Sequence, residues 1–367
     1  MVCASVRLSL SRNESVDALR KKIDQIDEKI VRLLNDRASL ALRIGHHKRL
    51  NNEDVYVPSR EKEILHRITQ LSRGPLSEPA IRSVFSEVIA ACRSLESALK
   101  ISFFGVEASY SHLAARERFG STATFVATAS IAEVFQEVRQ GRVSFGVVPI
   151  ENSTEGVVAH TLDLLVESEL RICAEIFLDI HHNLLSRSGR SEDIKKIVSH
   201  PQALAQCRQW LAHHFPSVKV EEVASTAHAA MMAAGDATLG AVSSKLAGEI
   251  YGLQVVAANI EDQGNNITRF LVIGDKDSKP GSNDKTSLVF SVKDRPGVLH
   301  RMLAPFAKSR INLSKIESRP IKNKPWEYLF FLDLKGHKEE PRVRKAIKEL
   351  ETNCVFMKIL GSYPSGV

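Results

Sequence analysis

Residues 16–48 read VDALRKKIDQIDEKIVRLLNDRASLALRIGHHK, and apolar side chains recur along them at helical spacing: Leu19, Ile23, Ile26, Ile30, Leu33, Leu34, Leu40, Ala41 and Ile44. The stretch has no proline, and its only glycine, Gly45, comes near the end. Ser15 is placed to cap the start, ahead of Asp17 in the first turn. Thirty-odd residues at ~1.5 Å each make a helix about 45–50 Å long. That exceeds the width of a small domain, so the helix needs a partner to cover it. A loop over 50–58 follows, then a second predicted helix from Ser59 to about Ser72, a break at Gly74-Pro75, and a third helix from Pro79 to about Leu99. The first hundred residues are therefore predicted to be all-helical.

Past Ile101 the texture changes. Short apolar runs punctuated by glycine, at 101–105, 145–150, 197–199 and 239–242, alternate with helical segments at 130–140, 201–213 and 226–234. Such alternation predicts an α/β domain with a mainly parallel sheet over about 101–276. Residues 274–285, GDKDSKPGSNDK, read as a linker. Beyond it come a strand at 286–292, a helix at 297–309, strands at 312–319 and 327–334, a helix at 340–351 and a strand at 355–361. That β-α-β-β-α-β order is the ferredoxin-like pattern. The expected domains span 1–100, 101–277 and 285–363.

Composition agrees with this outline. A chain of 367 residues suits two or three domains, and 43% apolar with 25% charged residues is the balance of a globular protein with real cores. No apolar run reaches the ~18 residues of a membrane span, and Met1–Arg12 reads as a frayed leader, without the apolar stretch of a signal peptide. The five cysteines, at 3, 92, 173, 207 and 354, never fall in a CxxC spacing, which argues against zinc and against a disulfide framework. A reducing cytoplasm is the expected compartment. The net charge of +7 is spread among interleaved acids and bases with no concentrated basic stripe, so nucleic acid is not the expected partner. A basic protein that handles small dianions fits better.

On the first helix Arg20, Arg37 and Lys48, together with Arg60 and Glu61 at the start of the second, form a largely cationic set suited to a small dicarboxylate, because arginine forks grip carboxylates bidentately. The segments Ala18-Leu19-Arg20, Ile26-Asp27, Leu33-Leu34-Asn35-Asp36-Arg37, Ile44-Gly45-His46-His47-Lys48 and Pro58-Ser59-Arg60-Glu61 resemble the AroQ-type chorismate mutase domain. Val148-Pro149-Ile150-Glu151-Asn152-Ser153, Ser199-His200-Pro201-Gln202, and Glu261-Asp262-Gln263 with Asn266-Ile267-Thr268-Arg269-Phe270 resemble prephenate dehydratase motifs. Asp294-Arg295-Pro296-Gly297-Val298-Leu299 and Glu317-Ser318-Arg319-Pro320 are similar to the ACT regulatory domain of those enzymes. Together they span nearly the whole chain, in the order of the bifunctional chorismate mutase–prephenate dehydratase family.

The resemblance implies an all-α three-helix mutase domain, a two-lobed α/β dehydratase domain and a ferredoxin-like α+β ACT domain. It implies chorismate and prephenate as substrates and L-phenylalanine as effector, in phenylalanine biosynthesis. The chain is expected to form a homodimer with intertwined first helices, or a tetramer of two such dimers, and to need no metal, cofactor, nucleic acid or membrane. The mutase step is pericyclic, so catalysis comes from holding a compact conformer and stabilising charge on the ether oxygen. By resemblance, Arg20 from the partner chain and Arg37 clamp the carboxylates, Lys48 donates to the ether oxygen, and Arg60 and Glu61 position a carboxylate and the ring hydroxyl. Glu96 falls opposite Lys48 and must carry a proton if it is to donate. Cys92 stands where some members have serine and is read as a packing residue; Val57 stands where some have an acid.

For the dehydratase, leaving-group protonation and carboxylate binding are the tasks, and the resemblance implies that Thr268 is the key hydroxyl. Arg269 and Phe270 are expected beside it on the substrate, with Asn152, Ser199 and Gln206 lining the same cleft. His112, His182 and His200 are read as structural. Members begin this domain with Gly-Pro-x-Gly-Thr-Phe-Ser; here Gly105-Val106-Glu107-Ala108-Ser109-Tyr110-Ser111 lacks the proline and the second glycine, while Ser109 keeps the hydroxyl. In the tail, Gly297, Val298 and Leu299 form one wall of the effector site, where glycine lets backbone approach a ligand. Glu317, Ser318 and Arg319 are expected to form the opposite wall, across a dimer interface. The competing reading is a ligand-sensing regulator with a DNA-binding N-terminus. A helix-turn-helix needs short helices and a tight turn, which a thirty-residue helix does not offer.

Overall fold

A computed structural model describes residues 15–51, 56–96, 99–293, 295–320 and 328–366. The leader, part of the loop after the first helix, the end of the expected third helix at 97–98, Asp294 of the tail motif and the start of the strand expected at 327 lie outside the described residues. The chain forms two compact units, one comprising residues up to 99 with 119–123, the other comprising 100–118 and 124 onward.

The first unit is helical: α1 (Val16–Leu50), α2 (Pro58–Leu71) and α3 (Glu78–Glu96). Ser15 caps α1 as expected, accepting from the Ala18 amide at 3.2 Å. Only Ala41 and Gly45 of α1 are buried, in the C-terminal third that packs on α3. A Cβ at Gly45 would sit 2.9 Å from both Cβ and Cγ of Glu96, so this glycine sets how closely α1 approaches α3. Further up, Leu19, Ile23, Ile26, Ile30, Leu33 and Leu34 are exposed.

The second unit holds three sheets. Its first lobe contains β1 (Lys100–Phe104), α4 (Tyr110–Phe119), β2 (Thr124–Thr128), α5 (Ile131–Arg139), β3 (Phe145–Asn152), β4 (Gly156–Val157), α6 (Ala159–Glu167) and β5 (Arg171–Asp179). The chain then crosses to a second lobe of β6 (Asn183–Ser186), β7 (Lys196–Ser199), α7 (Pro201–Gln206), α8 (Arg208–His214), β8 (Lys219–Glu222), α9 (Thr226–Gly235), β9 (Leu239–Ser243), α10 (Lys245–Tyr251) and β10 (Gln254–Ala257). It returns as β11 (Ile267–Gly274), which inserts antiparallel between β3 and β5, giving the order β2-β1-β3-β11-β5. The second lobe's sheet runs β10-β6-β9-β7-β8 and is also mixed, with β7 parallel to β8 and β9 and β6 antiparallel to its neighbours. The expectation of a mainly parallel sheet is thus corrected: a chain that leaves a lobe and comes back re-enters its sheet in the opposite sense. The two crossings are stapled side by side, the Ile180 amide donating to the Asn266 carbonyl and the Ile260 amide to the His182 carbonyl, each at 2.8 Å.

The third sheet belongs to the ferredoxin-like part: β12 (Asp284–Ser291), α11 (Val298–Lys308), β13 (Leu313–Pro320), β14 (Tyr328–Lys335), α12 (Pro341–Glu351) and β15 (Phe356–Pro364), in the order β13-β14-β12-β15. Side chains alternate along each strand, and one face of this sheet packs onto α11 and α12 through Leu288, Phe290, Met302, Phe306, Leu332 and Ile347. The other face joins the first lobe in one core, where Val289, Phe331, Leu360 and Tyr363 pack with Leu162, Leu165, Ile172 and Leu271. Gly361 lies so close to β5 that a Cβ there would be 2.3 Å from the Ile172 carbonyl oxygen. Gly361→Ala must therefore push β15 off β5. We expect it to cost about 1–3 kcal/mol, as overpacking does, and to lower the calorimetric Tm by about 2–4 °C per kcal/mol. An unchanged Tm would show that the two backbones are not in contact.

Candidate active sites and effector region

In the helical unit a pocket of about 420 Å³ is lined by Arg37, Lys48, Val57, Arg60, Glu61, Cys92, Arg93 and Glu96 over an apolar floor of Leu40, Ala41, Ile44, Ile64 and Ile89. Of the six residues assigned to the mutase site from the sequence, five meet here. Arg37 donates to the Val88 carbonyl at 3.5 Å, and Lys48 Nζ lies 3.4 Å from Glu96 Oε2. Glu61 is paired with Arg93, which also donates to the Phe119 carbonyl at 2.6 Å. Arg60 leans on Glu63 at 3.2 Å near the rim. Cys92 is buried, in keeping with a packing role.

Arg20 is the exception. It stands exposed on the distal part of α1 with Asp17 at 3.5 Å and does not reach the pocket of its own chain. Arg93, by contrast, was missed. A buried arginine in the apolar stripe of α3, one turn before Glu96, was the available signal, because such a cation stays buried only when paired.

The second unit carries a larger cleft, about 830 Å³, between its two lobes. Asn152, Gln206, Thr268 and Phe270 line it, with Ser109, Tyr110, Thr128, His182, His200, Thr226 and Asn266. Thr268 and Asn152 face each other in the β11/β3 register, and Asn152 Nδ2 donates to Thr268 Oγ1 at 2.8 Å and to Asn266 Oδ1 at 2.7 Å. The amide cannot be flipped, because Asn152 Oδ1 already accepts from the Thr154 and Glu155 amides at 2.9 and 3.0 Å. Thr268 Oγ1 is thus an acceptor toward Asn152, and its own proton must point elsewhere. The chain of bonds continues: Asn266 Nδ2 donates to Gln206 Oε1 at 2.9 Å, and His182 Nε2 lies 2.8 Å from the same oxygen.

An oxygen that accepts from Asn266 can only accept from His182 as well, so Nε2 carries the proton. Burial, the largest influence on it, pulls the imidazole below its ordinary pKa. Nδ1 is then an acceptor that shares the Tyr110 hydroxyl with the His181 carbonyl, each at 2.8 Å; burial raises the Tyr110 pKa well above the usual value. His182 is therefore a neutral scaffold that orients Gln206. His112 is structural too: its Nδ1 accepts from the Ala108 amide at 3.1 Å. That bond braces Ala108 at φ 66°, the left-handed conformation the family's missing glycine would adopt freely. Ser109 keeps its hydroxyl in the cleft.

Two expected substrate residues are elsewhere. Ser199 is fully buried and donates to the Val242 carbonyl at 2.6 Å, tying β7 to β9. Arg269 points away from the cleft, because side chains alternate along a strand and Thr268 and Phe270 take the cleft side. Its guanidinium lies 2.8 Å from both Glu175 Oε2 and Asp333 Oδ2. No lysine, arginine, aspartate or glutamate is found among the described residues lining the cleft. Instead the first turns of α4 and α9, ten residues each, open onto it through Tyr110, Ser111 and Thr226. Helix starts offer unpaired amides and a partial positive charge to an anion.

In the ferredoxin-like part Gly297 has φ 74° at the start of α11 and is exposed with Leu299, while Val298 is half-buried. Along β13 odd-numbered residues are half-buried and even-numbered ones exposed. Ser318 therefore faces out, whereas Glu317 and Arg319 face in. Arg319, expected in the effector wall, instead holds α6, with Asp163 Oδ1 at 3.0 Å and the Ala159 carbonyl as acceptor.

A cationic pocket among helices, a neutral polar cleft between two α/β lobes and an appended ferredoxin-like domain define a multidomain enzyme with a regulatory module. Residues 19–97 match chorismate mutase type II, 101–278 match prephenate dehydratase and 286–352 match the ACT domain. The bifunctional chorismate mutase/prephenate dehydratase of Aquifex aeolicus is 49% identical over 96% of this chain and 99% of its own length. That of Pseudomonas aeruginosa is 39% identical over 98% and 100%. The prephenate dehydratase of Arthrobacter aurescens, solved in complex with L-Phe, superposes with a TM-score of 0.67 at 33% identity, over 73% of this chain and 90% of that one. The chain belongs to the bifunctional chorismate mutase/prephenate dehydratase family, and it carries both enzymatic activities with an ACT domain.

The contact between Gly45 and Glu96 gives a direct check on the mutase pocket. Alanine at position 45 would favour the helix by ~1 kcal/mol, but its Cβ has to displace the root of Glu96, which no rotamer change relieves. We expect Gly45→Ala to lower mutase kcat/KM at least tenfold, ~1.4 kcal/mol of transition-state stabilisation, with dehydration of supplied prephenate unchanged. Unaltered mutase kinetics would remove the α1–α3 approach from the site.

Proposed function

We propose that residues 1–100, 101–277 and 285–363 are the mutase, dehydratase and ACT domains, and that the two pockets described are their active sites. In the first, Arg37 and Arg60 hold the carboxylates of chorismate and Lys48 donates to the ether oxygen, while Glu61 and Glu96 are held in place by Arg93 and Lys48. The rearrangement needs no nucleophile, so a pocket of fixed donors that favours the compact conformer is sufficient chemistry. In the second, helix starts and neutral amides hold the prephenate dianion, and Thr268 protonates the departing hydroxyl as carbon dioxide leaves. The observation that carries this reading is the Asn152–Thr268 bond, which makes the threonine oxygen an acceptor and sends its proton into the cleft. Thr268→Val should abolish dehydration while chorismate still yields prephenate. Arg37→Ala should do the reverse. The mutase step is measured by loss of chorismate absorbance, and dehydration by phenylpyruvate absorbance in base from supplied prephenate. Loss of both activities in either variant would contradict two separate sites.

The exposed apolar row from Leu19 to Leu34 on α1 supports a homodimer, or a tetramer of dimers, in which each α1 lies on its partner's. Arg20, far from its own pocket, then serves the partner's. Refolded mixtures of Arg20→Ala and Arg37→Ala chains should recover part of the mutase activity, since one site in each heterodimer regains both arginines. Heterodimers without recovery would refute the shared site. The tail binds L-phenylalanine as feedback inhibitor, between the turn at Gly297–Leu299 and the outward face of β13 at Ser318. Among the described residues no helix is long and apolar enough to cross a membrane, and a cytoplasmic enzyme fits the chemistry.

A further inference from the structure

The ladder between β3 and β11 has two faces with different partners. Asn152 and Thr268 form one directly opposed pair and meet across the cleft face. The preceding residue on β3 and the following one on β11, Glu151 and Arg269, form the adjacent pair and turn to the other face. There both meet the ACT sheet. Lys315 of β13 reaches Glu151 Oε2 at 2.6 Å, and Asp333 of β14 lies 2.8 Å from Arg269. Glu175 of β5, held by Lys285 of β12 at 2.8 Å, flanks the arginine from the other side at the same distance. The Tyr363 hydroxyl accepts from Arg269 at 3.1 Å and lies 2.6 Å from Ser287, whose hydroxyl donates to Asp333. A small cavity lies beside this buried group of two cations and two carboxylates.

We propose that Arg269 and Glu151 are positioning residues for the dehydratase, which act through Thr268 and Asn152 and carry the state of the ACT domain to the cleft. The physical basis is short. Each lies one peptide unit from a residue that touches substrate, and a strand transmits a tilt of one side chain to its neighbour on the opposite face. The buried Arg269–Asp333 pair resists separation, because an uncompensated charge would be left behind, so β14 does not shift without pulling the ladder, and the half-buried Lys315–Glu151 pair adds a weaker tie to β13. A bulge between Arg269 and Phe270 sits at this point of the ladder, where such irregularities re-aim side chains. Lys315 and Arg319 share the inward face of β13. The strand whose outward face is assigned to the effector therefore grips both the ladder and α6. This inference rests on the reading that L-phenylalanine binds the ACT domain.

The test uses the full chain with substitutions on the ACT side only, where neither residue touches substrate. Lys315→Met removes a partly accessible charge and is the milder change; Asp333→Asn keeps shape but is buried. Three quantities are measured: kcat and KM for prephenate, the L-phenylalanine concentration for half-inhibition, and L-phenylalanine affinity by equilibrium dialysis. In each variant we expect kcat to fall at least fivefold with KM within twofold. Half-inhibition should shift at least tenfold while the dissociation constant stays within threefold, and Lys315→Arg should restore wild-type values. Loss of folded protein lowers kcat but does not separate half-inhibition from affinity, so the split reports coupling. Wild-type kcat and half-inhibition in Lys315→Met would overturn the proposal even if Asp333→Asn fails to fold. A wild-type chain that binds no L-phenylalanine would overturn the effector reading and the coupling together, leaving the kcat comparison to decide the positioning role.

Discussion

The β3/β11 ladder is the constraint on which the second unit depends. β11 is the return strand of a chain that has left the first lobe, built a second and come back, and it enters the sheet antiparallel between β3 and β5. Because the crossings lie side by side, the cleft between the lobes opens where β11 begins, and the strand's first residues are in the site. Alternation then divides its side chains between two neighbours with opposite needs: a wet cleft that must present a hydroxyl, and a dry interface that must bury an arginine among carboxylates.

The two pockets are built in different ways. The helical pocket uses guanidinium and ammonium groups on helices, where geometry comes from packing and from pairs such as Glu61–Arg93. The cleft uses neutral groups, orders them by a string of amide and imidazole bonds from Tyr110 to Thr268, and leaves the charge to helix starts. Such a string ties its members to one another, so it holds Thr268 in register with no lysine or arginine among the described residues lining the cleft.

The regulatory part is joined to the dehydratase by a shared core and by ionic contacts at several points. Besides the ladder, Lys358 of β15 donates to the carbonyls of Leu165, Val166 and Ser168 at the C-terminal end of α6, while Arg319 takes its first turn. Helix α6 is therefore held at both ends by strands of the ACT sheet: Lys358 satisfies C-terminal carbonyls that the helix leaves unpaired, and Arg319 pairs with Asp163 near its start. The close approach of Gly361 to β5 completes a contact that leaves little room for sliding.

What the sequence by itself determined was the long helix, through an unbroken apolar period, and the order of the three parts, through changes of periodicity and a polar linker. Motifs that the family shares also singled out Arg37, Lys48 and Glu61, which line one pocket, and Asn152, Gln206 and Thr268, which line one cleft. Only the tertiary structure decided direction. Thr268 and Arg269 are neighbours in one motif, yet the strand's period of two sends them to opposite sides, and which side is the cleft depends on where the chain returns. Ser199 has a hydroxyl at a motif position, but its partner, Val242, lies more than forty residues on and is brought there by β9. Arg93 stands in the apolar stripe of α3, and its partner, Glu61, comes from another helix. Local periodicity is written within a few residues; the partner that gives a side chain its role arrives from far along the chain, and packing alone selects it.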